Sequence, residues 1–171
     1  MQTHQKVEPE RSKPEVVIYT DGACEGNPGR GGYGAVILCG KKRKELSGGF
    51  RNTTNNRMEL LAVIEALAAL EQPSKVKLYS DSTYVVRAMN EGWVQNWRRK
   101  GWRNAQNKPT PNVDLWERLL ALCEIHEVEF LWVKGHSGVA ENERCDELAV
   151  TAAQTPNLPI DTGYAVRTGV S

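Results

Sequence analysis

The stretches Val16-Val17-Ile18-Tyr19-Thr20-Asp21 and Val76-Lys77-Leu78-Tyr79-Ser80-Asp81 decide the fold. Each is a short run with apolar alternation that closes on an aspartate, and each reads as a strand. Between them Leu60, Ile64 and Leu67 recur at helical spacing, as do Leu61 and Ala68. They predict a helix from about Asn56 to Leu70, with Asn56 as its cap and Pro73 as its stop. A strand, a helical crossover and a second strand make these two strands parallel neighbours.

Working outward, the stretch from Asp21 to Gly34 is rich in glycine, with Asn27-Pro28-Gly29 as a turn. Tyr33 to Cys39 and Lys44 to Arg51 read as strands joined at Gly40-Lys41-Lys42. Short connections imply an antiparallel meander. Downstream come a short helix from Ser82 to Asn90 and a segment rich in tryptophan and basic residues from Gly92 to Lys108. A helix from Pro111 or Asn112 reaches about Ile125. A strand over Glu127 to Val133 alternates in Val128, Phe130 and Trp132. A loop over Gly135 to Ala140 precedes a last helix, Glu141 to Ala153. The fold class is α/β: a mixed five-stranded sheet with helices packed on it. The first, fourth and fifth strands are parallel, and the second and third are antiparallel additions on one edge. Residues 1–14 are expected to be a flexible tail, 15–155 the folded domain and 156–171 a loosely ordered tail.

A chain of 171 residues with 40% hydrophobic and 25% charged residues fits one ordinary globular domain. Its net charge of +1 gives no argument for a nucleic-acid partner, which must rest on local patches. The four cysteines form no C-x-x-C pair, which speaks against a zinc ribbon and for reduced thiols. No apolar run approaches the roughly 18 residues of a spanning helix, and none opens the chain. A cytoplasmic monomer away from membranes is the expectation. Gly29-Arg30-Gly31-Gly32-Tyr33-Gly34 satisfies G-x-G-x-x-G, but a strand rather than a helix follows, so no nucleotide cofactor is expected. The glycines are expected to let backbone approach a ligand or to bend the hairpin.

Four acidic residues stand at strand ends and in helix starts: Asp21, Glu59, Asp81 and Asp146. Each has a plainer reading. Glu59 has the spacing of a capping box with Asn56, Asp81 could cap the next helix, Asp21-Gly22 is a turn dipeptide, and Asp146 could be a solvated helix charge. Their joint occurrence favours a two-metal centre for phosphodiester chemistry, bridged by Asp21 and filled by a hard divalent ion such as Mg2+. His136, in Gly135-His136-Ser137-Gly138, is a surface histidine or a loop group that shuttles protons or helps release product.

From Gly92 to Val113 there are Arg98, Arg99, Lys100, Arg103 and Lys108, and no acidic residue. Trp93, Trp97 and Trp102 interleave them. Cations neutralise phosphates and aromatic faces pack on sugars or bases, so the segment reads as a nucleic-acid handle. Two of the three tryptophans are expected to pack in the core.

With these residues laid out, the chain resembles the type 1 ribonuclease H family, in its free-standing bacterial form. The matching blocks are Tyr19-Thr20-Asp21-Gly22-Ala23-Cys24 with Gly26-Asn27-Pro28-Gly29, and Thr53-Thr54-Asn55-Asn56-Arg57-Met58-Glu59-Leu60. They continue in Tyr79-Ser80-Asp81-Ser82, Trp132-Val133-Lys134-Gly135-His136 and Glu141-Asn142-Glu143-Arg144-Cys145-Asp146-Glu147-Leu148-Ala149. The resemblance implies a ribonuclease H-like fold and an endonuclease that cuts the RNA strand of RNA–DNA hybrids, leaving 5′-phosphate and 3′-hydroxyl ends. It implies up to two Mg2+ ions, with Mn2+ able to substitute, held by Asp21, Glu59, Asp81 and Asp146, with His136 as the loop histidine. It implies hybrid contacts at Cys24, Asn27, Thr54 and Asn55, and a basic handle over Trp97 to Asn112. Thr83 stands where the bacterial type often has glutamine, and the His136 loop lacks a second histidine. The competing readings are a nuclease of the same fold with another substrate and a non-catalytic nucleic-acid-binding module.

Overall fold

Alternation turns Val16, Ile18 and Thr20 of the first strand to one face, where all three are buried. Val76, Leu78 and Ser80 lie beside them in register, and Val128 and Phe130 lie beside Val76 and Leu78. A single apolar layer results, and Met58, Leu60, Leu61, Ile64 and Leu67 fill it from a helix above.

The computed structural model describes residues 12–168. Along the chain run β1 (Glu15–Glu25), β2 (Gly29–Cys39), β3 (Lys42–Thr53), α1 (Asn55–Ala68), β4 (Lys75–Ser80), α2 (Thr83–Asn90), α3 (Trp93–Arg99), α4 (Val113–Ile125), β5 (Glu127–Trp132), α5 (Ala140–Ala153) and α6 (Thr162–Thr168). The sheet order is β3-β2-β1-β4-β5. β1 pairs antiparallel with β2 and parallel with β4. β2 pairs antiparallel with β3, and β4 parallel with β5. This is the mixed sheet the sequence predicts. Among the described residues no helix is long and apolar enough to cross a membrane.

The glycines of β2 bend the hairpin, as one of the two expectations had it, with a register shift between Gly29 and Gly31, and they do further work. A Cβ on Gly31 would lie 2.8 Å from Met58 of α1, and one on Gly34 would lie 2.5 Å from the Cys145 carbonyl oxygen of α5. A Cβ on Gly32 would collide with the Ala149 carbonyl. Neighbouring strand residues face opposite ways, so α1 and α5 cover opposite faces of the sheet. On the α5 face, glycine lets helix backbone rest on strand backbone. The partner in this close approach is the backbone of α5.

Several boundaries also differ: β2 starts at Gly29 rather than Tyr33, and β3 spans Lys42–Thr53 rather than Lys44 to Arg51. The strand expected to stop at Thr20 runs on to Glu25, because β2 continues to pair with it beyond the end of β4. α1 is capped by Thr54, whose hydroxyl accepts from the Arg57 amide at 3.3 Å, and not by Asn56.

Part of the segment expected to be loose from residue 156 is fastened. The Arg51 amide donates to the Pro159 carbonyl at 3.0 Å. Asp161, only 4% exposed, accepts from Thr53 Oγ1 at 2.7 Å and from Arg57. Burial of a paired charge holds this stretch, a signal that carries no periodicity. Of the expected N-terminal tail, residues 1–11 lie outside the described residues.

Candidate active site

Asp21 lies one residue beyond Thr20–Ser80, the last parallel pair between β1 and β4. Asp81 is the first residue past β4, so the two aspartates emerge side by side where β4 leaves the sheet. Glu59 comes from α1 on the other face and reaches the same point over Gly22. The Gly22 amide donates to Asp21 Oδ1 at 2.8 Å and to Glu59 Oε1 at 3.0 Å. A side chain at Gly22 would stand 2.5 Å from the Glu59 amide nitrogen, so only glycine admits α1 this close.

Carboxylate oxygens of Asp21, Glu59 and Asp81 all come within 4.8 Å of one another. Asp21 is 5% and Glu59 3% exposed. Among the described residues none of the three has an ion-pair partner, and Glu59 Oε2 is buried without a hydrogen bond. Burial pushes the Asp21 carboxyl up to about 7; the charges of Asp81 and Asp146 add to this, while hydrogen bonds from Glu59 and Gly22 oppose it. Burial, then the Asp21 charge, holds Glu59 well above the usual carboxylate range. Burial raises Asp81 as well; Asp146 adds to the rise and the His136 charge opposes it. Crowded, buried and unpaired carboxylates with an orphaned oxygen form an all-oxygen donor set suited to a hard divalent cation.

The structure disposes of two plainer readings. Glu59 lies a full turn inside α1 and closes no capping box. Ser82, not Asp81, caps α2, its Oγ accepting from the Val85 amide at 3.2 Å. Asp146 stands apart from the three: it is half-buried on α5, near enough for its charge to act on Asp21 and Asp81. The preceding residue registers the helix, as Cys145 Sγ meets the Tyr19 carbonyl at 3.1 Å. His136 is exposed on the loop between β5 and α5, in the left-handed region with φ 55°.

A shallow groove of about 370 Å3 opens over this cluster, lined by Asn55, Asn56, Glu59, Asp81, Ser82, Thr83 and Tyr84. At its end the Asn55 amide donates to Asn27 Oδ1 at 3.2 Å, tying the β1–β2 turn to the start of α1. Thr54 stands beside them as the cap, and Cys24 Sγ meets the Thr53 carbonyl at 3.5 Å. Cys24, Asn27, Thr54 and Asn55 thus gather in one neighbourhood. The handle lies elsewhere. Trp93, Trp97 and Trp102 all pack, half-buried, against the core, one more than expected. Trp97 meets the buried Trp116 edge-on at 6.1 Å. Arg98, Arg99 and Lys100 are exposed and form no ion pair among the described residues.

Sequence reasoning missed Arg57 and its partners Asp114, Asp161 and Asn112. A signal existed: Arg57 precedes Leu60, Leu61 and Ile64 by three, four and seven residues, which places a charge within the apolar stripe of α1. Such a charge must be paired to be buried.

A five-stranded sheet in this order, with acidic side chains converging where β4 ends, is of the ribonuclease H-like class. The family described as RNase H matches residues 13–154. A ribonuclease H of Desulforamulus reducens is 61% identical over 147 residues, 86% of this chain and 92% of that one. A ribonuclease H of Trichodesmium erythraeum is 59% identical over 152 residues, 89% and 97% of the two chains. Among solved structures, LC9-RNase H1, a type 1 RNase H with the type 2 active-site motif, superposes with a TM-score of 0.76 at 32% identity, covering 95% of this chain and 85% of that one. The complex of LC11-RNase H1 with RNA/DNA hybrid superposes at 0.62 and 26% identity, over 81% and 96%. The chain belongs to the ribonuclease H family.

Proposed function

We propose that the protein is an endonuclease that hydrolyses the RNA strand of RNA–DNA hybrids, with its chemistry at Asp21, Glu59, Asp81 and Asp146. The observation that carries this reading is the Asp21–Glu59–Asp81 cluster, in which one backbone amide holds the buried Asp21 and Glu59 and no cation among the described residues pairs with any of the three. Its relatives bear the name ribonuclease H, and LC11-RNase H1 is seen with RNA/DNA hybrid. One or two Mg2+ ions, replaceable by Mn2+, would supply a nucleophilic water and neutralise the phosphate and the leaving 3′ oxygen.

The chain's own groups do the rest. Asp21, fixed by Gly22 and in contact with both Glu59 and Asp81, would share the hold on the metal with them. Asp146 completes the acidic set from α5. His136, exposed on the loop before α5, would pass a proton to the leaving oxygen or draw product away. Cys24, Asn27, Thr54 and Asn55 hold strand backbone beside the groove, and the 2′-hydroxyl marks the RNA strand. Arg98, Arg99 and Lys100, on a platform built by Trp93, Trp97 and Trp102, hold phosphates farther along the duplex. Contacts to backbone rather than base edges give little sequence preference. The reading includes a monomer that takes no nucleotide cofactor and works in the cytoplasm.

The test is an end-labelled hybrid incubated with Mg2+, beside duplex RNA, duplex DNA and single-stranded RNA. Cleavage confined to the RNA strand of the hybrid and stopped by EDTA is the expected result. Comparable cutting of duplex RNA would point to another substrate for the same fold. No cutting with Mg2+ or Mn2+ would overturn the catalytic reading.

A further inference from the structure

Of the three carboxylates that converge, two sit within regular structure. Asp21 lies inside β1, where β2 still pairs with it, and Glu59 lies inside α1. Asp81 belongs to neither a strand nor a helix: β4 ends at Ser80 and α2 begins at Thr83. Ladder and helix hydrogen bonds fix the backbone of the first two. Asp81 needs other partners to be held as firmly.

Side chains supply them. The Val133 amide closes the ladder between β4 and β5, donating to the Ser80 carbonyl at 3.0 Å. Beyond it, Trp132 Nε1 donates to the Asp81 carbonyl oxygen at 3.2 Å. The Ser82 amide, next along the chain, donates to Ser80 Oγ at 3.0 Å. Both peptide groups that flank Asp81 are thus tied. The carboxylate is hemmed in as well: a Cβ on Gly135, at the root of the His136 loop, would stand 2.7 Å from Asp81 Oδ2.

The register of β5 places the indole. Trp132 partners Ser80 in the last pair between β4 and β5, one residue short of Asp81. Val128 and Phe130, on the same face of β5, pack on the core, whereas Trp132 is 53% exposed. Burial therefore does not explain the ring's position. An indole N–H can only donate, and a carbonyl that has left the ladder can only accept.

We propose that Trp132 is a positioning residue: its indole N–H replaces the ladder bond that Asp81 lacks and so holds the Asp81 carboxylate beside those of Asp21 and Glu59. The inference rests on the metal-dependent reading above. A metal site needs its donors held to within about 0.5 Å by supporting contacts, and this one steadies the donor that regular structure does not.

Trp132→Phe keeps a ring and deletes the N–H. Mg2+ alone, titrated into this variant by calorimetry without substrate, is expected to bind about fivefold more weakly, the worth of one net hydrogen bond. At limiting Mg2+ its kcat should fall, and at saturating Mg2+ return to within about twofold of wild type, with KM for the hybrid unchanged. Ser80→Ala removes the tie on the other side of Asp81 and is expected to weaken Mg2+ binding in the same direction; it carries the test should Trp132→Phe fail to fold. Val128→Ala, on the same strand but away from the site, is the stability control and is expected to lower Tm without moving Mg2+ binding. If Trp132→Phe lowers Tm as Val128→Ala does and leaves Mg2+ binding unmoved, the proposal is overturned. A rise in KM with Mg2+ binding unmoved overturns it too, and makes the exposed ring a contact to the substrate. Wild-type protein that neither binds Mg2+ nor cuts hybrid is seen first and separately, and it sinks the underlying reading.

Discussion

Arg57 and Asp161 meet in a two-pronged ion pair shut away from solvent: Nε to Oδ2 at 2.7 Å and Nη2 to Oδ1 at 3.0 Å. Arg57 is 1% exposed, and its other edge is taken by Asp114. Thr53 Oγ1 adds a third hydrogen bond to Asp161 at 2.7 Å. The pair ties the segment before α6 to the first turn of α1, the turn that leads into Glu59. Asp161→Asn is expected to cost about 2–3 kcal/mol, because it strips a charged partner from a buried guanidinium that keeps only Asp114. Urea unfolding measures this. Glu127→Gln, which breaks the exposed pair with Lys13 at 3.2 Å, is the contrast and should stay within about 0.5 kcal/mol. Equal losses for the two would mean that the buried pair confers no special stability.

The strands and their order were legible because alternation survives in β1, β4 and β5, and because helical spacing between strands forces parallel crossovers. The Arg57–Asp161 tie was not, since its partners lie 104 residues apart and the second belongs to no periodic run. The start of α1 was missed by two residues for a related reason. Thr54, Asn55 and Asn56 are all competent caps, and the chain's path through Thr53 to Asp161 selects among them. Asp21 and Asp81 could be named because each closes an apolar run, and Glu59 and Asp146 because they occur with them. That one amide, Gly22, would bind two of them depends on how closely α1 approaches β1, which no local pattern records.

Gly22→Ala tests that approach. The added methyl would enter the space of the Glu59 amide and the Met58 backbone, so the start of α1 must withdraw from β1. Glu59 then loses its hold on the shared N–H. A shift of about 1 Å in a reacting group can cost about 100-fold in rate, so kcat should fall by about that factor. Calorimetric titration should show weaker Mg2+ binding. Unchanged kcat and Mg2+ affinity would show that the close approach is dispensable.

The carboxylate cluster gives stability a particular dependence on pH and metal. Asp21, Glu59 and Asp81 all have folded-state values raised first by burial and then by carboxylate charges nearby: Asp81 and Asp146 act on Asp21, Asp21 and Asp81 on Glu59, and Asp146 on Asp81. For raised groups the folded state binds protons more tightly. Their stabilising contribution is present below about pH 4 and is lost as pH rises through the folded value, about 7 for Asp21. Metal-free protein should thus be penalised at pH 7.5, and Mg2+ should raise Tm more at pH 7.5 than at pH 5. Asp21→Asn should raise the metal-free Tm at pH 7.5 while abolishing cleavage and sparing hybrid binding. Thermal melts in EDTA and in Mg2+ decide this, and a lower metal-free Tm for the variant would contradict it.

His126 pulls the opposite way over the adjoining range. It is 4% exposed, and its Nδ1 accepts from the Ser74 amide at 3.1 Å, which requires the ring to be neutral there. Burial is the main cause that lowers its value below the usual 6.5. The neutral ring's contribution is therefore complete above pH 6.5 and is lost as pH falls through the folded value. In the wild-type protein this loss is partly masked, because the carboxylates gain as they protonate. In an Asp21→Asn background the mask is thinner, and Tm should fall visibly from pH 7 to pH 5. Adding His126→Gln, which can keep an acceptor for Ser74 and does not titrate, should flatten that slope. A slope that survives the second substitution would assign it to other groups. One that vanishes would place His126, at the joint between α4 and β5, as the acid-sensitive point of the fold.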